Sequence, residues 1–206
     1  MKKLIFLIGA LIICLNANSQ TNFAPLGAEW HFSINRVEGY NRYRVEHDTN
    51  FQNRNCRYIS CYNENQVKVN EELVLDSAGV IFYWHSGEFR KAMDFTVQEG
   101  DTTFFDLKGW TNNGDSDTIV RLNVEITNVE TEVIDNESVN VFTAEIIDNP
   151  NYLDLSHFSY KSKIGTVVLG SGELFPHFGA ISSVPEPYNF LRCYNDNSIN
   201  YVSSTW

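Results

Sequence analysis

Hydrophobic and polar residues alternate along most of the chain after residue 20, in short runs that repeat every second position. Trp30, Phe32 and Ile34 alternate with polar neighbours, and so do Val67 and Val69. A period of two is typical of half-buried β-strands, and no window of a dozen residues shows the 3.6-residue spacing of an amphipathic helix. The pattern therefore predicts an all-β protein of about ten short strands.

Turn signals separate these runs at short intervals. Residues 76–79 and 85–88 each place Gly in a polar turn between apolar runs, and residues 135–138 separate a long run, 119–134, from its return partner at 139–147. Tight turns favour antiparallel meanders. We expect a curved sheet or partly closed barrel, with a β-sandwich as the alternative. No linker or repeat divides residues 20–206, which predicts a single domain.

The first 19 residues have the pattern of a secretory signal peptide. Lys2 and Lys3 precede an apolar run over residues 4–13, and the small residues Ala17 and Ser19 follow it. This arrangement predicts cleavage between Ser19 and Gln20. The run is shorter than the roughly 20 apolar residues that span a bilayer, and no later stretch is longer or more apolar. We therefore expect an exported protein of the periplasm, cell surface or medium, with no membrane span in the mature chain.

The mature chain is strongly acidic. The signal contains two lysines and no acid, so the mature chain carries a formal charge of −13 where the whole chain of 206 residues carries −11. Such a surface repels phosphate backbones and anionic membranes, which disfavours nucleic acid as a partner. Aromatic residues make up 14% of the chain, whereas disordered chains are poor in aromatic residues, so the chain is expected to fold.

Three cysteines remain after the signal: Cys56, Cys61 and Cys193. An odd number leaves at least one thiol unpaired within the chain. Cys56 and Cys61 lie on one predicted strand, roughly 16 Å apart and on opposite faces, whereas a disulfide needs Cα atoms within about 7 Å. We expect no bridge between these two, and at most one of them pairs with Cys193.

No catalytic or metal-binding motif is recognised, and no cofactor or metal is expected. The five histidines are scattered without zinc-ligand spacing: His31, His47, His85, His157 and His177. Glu71, Glu72 and Glu88 could supply the paired carboxylates of a glycosidase-like hydrolase. Adjacent residues of a strand point to opposite faces, so at most one of Glu71 and Glu72 takes part in such a pair.

Three stretches of the sequence resemble a known group of proteins. They are 82–102, with Phe82-Tyr83-Trp84 and Gly87-Glu88-Phe89; 163–176, with Lys163-Ile164-Gly165 and Phe175-Pro176; and 191–196, Leu191-Arg192-Cys193-Tyr194-Asn195-Asp196. In this order they resemble exported proteins of the Bacteroidota, most of them of unknown function and many ending in a type IX secretion sorting domain. No such sorting domain is recognised in the residues through Trp206. The resemblance implies export and brings no assigned catalytic residues.

Three functional hypotheses follow from these observations. The first is a non-enzymatic binding or surface-interaction module of the cell envelope, whose partner is a glycan, a peptide or a protein. The second is a lipocalin-like carrier of a small apolar ligand, suggested by the meander and the abundant aromatic residues. The third is a hydrolase that uses a carboxylate pair such as Glu72 and Glu88.

Overall fold

A computed structural model describes residues 23–33, 39–109, 118–147, 157–166, 177–178 and 191–203. The predicted signal peptide and its cleavage site at Ser19 and Gln20 lie outside these residues. Every regular element in the described residues is a strand. The fourteen strands are β1 (Glu29–Ser33), β2 (Tyr40–Phe51), β3 (Arg54–Tyr62), β4 (Lys68–Ser77), β5 (Val80–His85), β6 (Glu88–Asp94), β7 (Thr102–Gly109), β8 (Thr118–Ile134), β9 (Glu137–Ile146), β10 (His157–Lys161), β11 (Gly165–Thr166), β12 (His177–Phe178), β13 (Leu191–Asn195) and β14 (Asn200–Val202).

The strands form two sheets. The eight-stranded sheet has the order β14-β13-β1-β2-β3-β4-β5-β6, and the six-stranded sheet has the order β11-β10-β9-β8-β7-β12. All pairings are antiparallel except the short contact of β12 with β7. The predicted all-β, antiparallel architecture is confirmed. The strands do not close into a barrel; two layers enclose one core, as in the sandwich alternative.

Two-residue turns with positive φ at both central positions fix the register of four hairpins. This backbone matches the twist of the flanking strands. The turns are Gln52-Asn53 (φ 50° and 60°), Ala78-Gly79 (55° and 91°), Ser86-Gly87 (49° and 89°) and Asp135-Asn136 (50° and 69°). The turns predicted at 76–79 and 85–88 are confirmed, and Asp76 Oδ1 accepts a hydrogen bond from the Gly79 amide at 2.9 Å. The return strand β9 begins at Glu137, two residues earlier than predicted, because Asp135-Asn136 alone makes the turn.

The inner faces of both sheets contribute to one aromatic-rich core. Its largest side chains include Trp30 and Tyr83 from the eight-stranded sheet and Phe105, Phe142 and Tyr160 from the six-stranded sheet, all at most 1% exposed. The Phe142 and Tyr160 rings stack with centroids 4.9 Å apart and planes inclined by 11°. Burial of such large apolar surfaces is the main contribution to stability.

Three of the buried aromatic residues donate hydrogen bonds from one layer to the backbone of the other. The bonds run from Trp30 Nε1 to the Ile164 carbonyl (2.7 Å), from Tyr83 Oη to the Asp106 carbonyl (2.8 Å) and from Tyr160 Oη to the Asp94 carbonyl (3.0 Å). A buried donor without an acceptor would destabilise the fold, so each bond both satisfies a polar tip and sets the spacing of the layers.

Buried carboxylates at the margin of the core are neutralised by cations from nearby strands. Asp106 accepts two hydrogen bonds from Arg121, at 2.7 and 3.0 Å, and Glu72 accepts one from Lys108 across the layers. The Lys108 ammonium also lies 5.1 Å from the centre of the Tyr83 ring. Burial, together with the carboxylates of Asp106 and Glu72, raises the pKa of the Tyr83 phenol, which therefore stays a hydrogen-bond donor.

Asp94 is the buried carboxylate with the densest set of donors. Lys91 Nζ lies 2.6 Å from Oδ2, and the Thr96 amide and hydroxyl lie 3.0 and 2.6 Å from Oδ1. Burial alone would favour the neutral acid, but these donors outweigh it and hold the pKa of Asp94 below its usual range. Its ionised form is therefore a source of stability at neutral pH.

Replacing Tyr160 by Phe should lower the free energy of unfolding by about 1 to 2 kcal/mol, because the ring still fills the core while the Asp94 carbonyl loses its donor. Urea denaturation of residues 20–206 measures the change. The matched control is Tyr201→Phe, at a half-buried position on β14, which should shift the midpoint little. Equal midpoints for the wild type and Tyr160→Phe would contradict the role assigned to this bond.

The stabilisation from Asp94 should depend on pH. Since its folded-state pKa lies below that of a free aspartate, about 3.9, the ionised form contributes fully above about pH 4, and the contribution is lost as the pH falls through the folded pKa. Asp94→Asn should therefore be less stable than wild type at pH 7, and the difference should shrink by pH 3. Chemical denaturation at both pH values tests this; an unchanged difference at pH 3 would show that Asp94 acts through packing alone.

Candidate functional site

The outer face of the eight-stranded sheet carries a cluster of aromatic side chains that point away from the core. We call this cluster the aromatic patch; it consists of Phe51, Tyr58, Phe82, Trp84 and Phe89, which are all half-buried. The rings pack on three buried side chains of β3 and β4, namely Cys56, Leu73 and Leu75. A sheet that only covered a core would present polar residues on this side.

Three rings of the aromatic patch meet edge to face. The Trp84 ring lies 4.8 Å from that of Phe51 and 5.0 Å from that of Phe89, with interplanar angles of 72° and 71°. Trp84 and Phe89 are opposed in the register of β5 and β6, whereas Phe51 comes from the end of β2. Residues distant in sequence thus form one platform of aromatic surface, part of which stays open to solvent.

Polar groups border the aromatic patch. The Arg54 guanidinium lies 5.2 Å from the centre of the Phe89 ring, and the His47 ring lies 5.1 Å from that of Tyr58. An aromatic platform with a polar rim suits a ligand that has both apolar faces and hydrogen-bonding groups, such as a sugar ring.

A polar groove of about 690 Å³ lies at the end of the β2–β3 hairpin. Asp48, Asn50, Asn55, Arg57 and Asp76 contribute to its walls. Arg57 is opposed to Val74 and Asp76 to Ile81, and both of these partners belong to the core, so the groove opens on the side of the sheet opposite the aromatic patch.

The groove walls are held in place by Arg57 and Asp76. Arg57 Nε donates to Asp48 at 3.0 Å, while its Nη1 donates to the carbonyls of Phe23 and Ala24 at 2.6 and 2.8 Å. The Asp76 carboxylate accepts the Phe23 amide at 3.2 Å. These bonds attach the segment before β1 to β3 and β4, so the groove is preorganised.

Three arginines and a histidine form a second feature of the same outer face, toward β1 and β13. We call this the arginine cluster: His31, Arg42, Arg44 and Arg192. His31 and Arg42 are opposed in the register of β1 and β2, and Glu29 is opposed to Arg44 with 3.4 Å between Oε1 and Nε. Burial, with Arg42 and Arg192 nearby, lowers the pKa of His31 although Glu29 lies 3.7 Å away. His31 is therefore neutral at neutral pH.

The three carboxylates considered for a hydrolase each bind a different cation. Glu72 faces inward and binds Lys108, whereas Glu71 faces outward and binds Lys68 and Ser60. The opposite orientation of these adjacent residues agrees with the strand geometry expected from the sequence. Glu88 lies at the exposed start of β6 and pairs with Arg90. Each carboxylate is matched by a cation, which does not favour the hydrolase hypothesis.

None of Cys56, Cys61 and Cys193 forms a disulfide in the structure. Cys56 and Cys61 both lie on β3, where Cys61 joins the main core and Cys56 packs under the aromatic patch on the other face. Cys193 is half-buried on β13, opposite His31. Burial raises the pKa of Cys56 and of Cys193, so both stay protonated at neutral pH.

The described residues hold no group of three or more side chains that could bind a metal ion. They also contain no helix long and apolar enough to cross a membrane. Compared with known proteins, the chain matches no family model, no curated protein and no solved structure.

The aromatic patch was not predicted from the sequence, although a signal for it exists. Residues 73–75 and 80–84 are uninterrupted apolar runs rather than alternating ones. Such runs are typical of strands that are covered on both faces. In this sheet Val74, Ile81 and Tyr83 point into the core, and the residues between them build the outer patch.

Thiol titration should distinguish the three cysteines. Unfolded residues 20–206, prepared without reductant, should yield three reactive thiols per chain, because none is bridged in the structure. In the folded protein the thiol-specific reagent should modify Cys193 first, since Cys56 and Cys61 are buried at 1% and 3% exposure. A single reactive thiol after unfolding would show that two of the cysteines are joined.

Proposed function

We propose that this chain is a non-enzymatic binding module, exported to the cell envelope, which binds a glycan on the outer face of the eight-stranded sheet. The aromatic patch is the observation that carries this proposal. Its rings offer flat apolar surface to the CH-bearing face of a sugar, and the polar groups at its border, Arg54 and His47, offer hydrogen bonds to the hydroxyl groups.

The filled interior favours a surface ligand over one enclosed in the sheet. Lipocalin-like carriage requires a closed sheet around an apolar cavity. Here the layers do not close, and side chains such as Trp30, Phe105 and Tyr160 occupy the space between them. The border of the aromatic patch is polar, with Arg54 and His47, which suits a hydroxyl-rich ligand better than a lipid.

Removing Trp84 should weaken glycan binding. The test applies a panel of oligosaccharides to residues 20–206 and measures hits by titration calorimetry. Loss of one stacked ring costs about 1 to 2 kcal/mol, so Trp84→Ala should lower affinity roughly ten-fold, while Trp84→Phe should retain most of it. Val133→Ala, at a 68% exposed position on the other sheet, is the matched control.

Two results would count against the proposal. A panel without a single ligand would remove the glycan as a partner. Ligand affinities that Trp84→Ala and Phe51→Ala leave unchanged, in variants whose near-ultraviolet circular dichroism is native, would place the site elsewhere.

A further inference from the structure

We infer that the glycan is acidic, a chain of carboxylate-bearing sugars whose carboxylates are held by the arginine cluster while other units stack on the aromatic patch. This inference rests on the proposed function and names its ligand class. The juxtaposition of an aromatic platform and a group of cations on one face of a strongly acidic protein is the feature that supports it.

Strand β2 connects the two features. Its outward side chains include Arg42 and Arg44 near the start, His47 in the middle and Phe51 at the end. At about 3.3 Å per residue, the distance from Arg42 to Phe51 is roughly 30 Å. The His47–Tyr58 ring pair lies between them. The surface is therefore a continuous strip that matches an extended oligomer better than a single small molecule.

Arg42 has the free hydrogen-bonding capacity that a carboxylate ligand needs. Its guanidinium lies 5.1 Å from the centre of the Tyr62 ring on the neighbouring strand β3. Its Nε has no hydrogen-bond acceptor among the residues that the structure describes, but this atom is buried, so a ligand carboxylate would bind the Nη groups. No described carboxylate forms an ion pair with it, whereas Arg44 is paired with Glu29. A planar guanidinium in this state suits bidentate binding of a carboxylate.

The charge distribution restricts an anionic ligand to this part of the molecule. The mature chain carries −13 overall, so an acidic polymer is repelled from most of the surface. Among the described residues around the arginine cluster, the acidic neighbours are Glu29, which is shared by Arg44 and His31, and Glu46, which accepts the Tyr62 hydroxyl at 2.9 Å. The cations outnumber these acids, which gives local charge complementarity to spaced carboxylates.

A nucleic acid is the less favoured occupant of the strip. Aromatic rings and arginines also bind single strands. Between the arginine cluster and the aromatic patch, however, the strip carries the outward carboxylates of Glu46 and Glu71. Carboxylates accept hydrogen bonds from the hydroxyl groups that sugar units carry, which a single strand of DNA lacks along its length.

The experiment compares hexagalacturonate with its fully methyl-esterified form, which has the same rings without the charge. Titration of residues 20–206 should show roughly ten-fold or tighter binding of the acid over the ester, and this preference should weaken as salt is added. Arg42→Gln should reduce the preference to near unity. Lys163→Gln, which removes one positive charge from the other sheet, is the matched control and should keep the preference. An oligomannuronate is titrated in parallel as a second acidic probe.

The outcomes separate this inference from the proposed function. Equal binding of acid and ester, with loss of both in Trp84→Ala and no effect of Arg42→Gln, overturns the acidic ligand and leaves glycan binding intact. If the panel yields only neutral ligands, the acidic ligand is likewise overturned and glycan binding remains intact. If no glycan binds, both the acidic ligand and the proposed glycan binding are overturned. Tighter binding of a hexathymidylate that depends on Arg42 overturns the inference in favour of nucleic acid.

Discussion

Hydrogen bonds from the tips of buried aromatic side chains to the backbone of the opposite sheet hold the two layers of this protein together. Trp30, Tyr83 and Tyr160 each span the gap between layers, and each requires an acceptor at one particular distance. Apolar packing alone would tolerate sliding of one sheet over the other. The directional bonds do not, and they fix which residues of the two sheets face each other.

This interior leaves the outer face of the eight-stranded sheet as the place where the proposed ligand would bind. The core takes one side of β2 to β6, and the opposite side carries the aromatic patch. Its aromatic patch stabilises itself through edge-to-face contacts among Phe51, Trp84 and Phe89, and these contacts also keep the rings in fixed positions before a ligand arrives. Preorganisation of this kind lowers the entropic cost of binding.

The fold class was predictable because local signals agree with it. Alternation identified the strands, and the turns at 76–79 and 85–88 follow from residues that accept positive φ. The division into two sheets was not predictable, since it depends on contacts such as that of Tyr83 with Asp106, which no local pattern encodes. The candidate site was missed for a related reason. Phe51 and Trp84 are separated in sequence, and only the register of the sheet brings them together.

The eight-stranded sheet joins the beginning of the described chain to its end. Strand β1 lies between β2 and β13, and Trp30 pairs with Tyr194. During synthesis the hairpins from β2 to β6 can form as they emerge, but β1 has to wait for nearly the whole chain before its second edge is covered. High contact order of this kind slows folding. Under the export proposed above, such a delay would keep the chain unfolded, and able to pass through a translocation channel, until its last strands have left the ribosome.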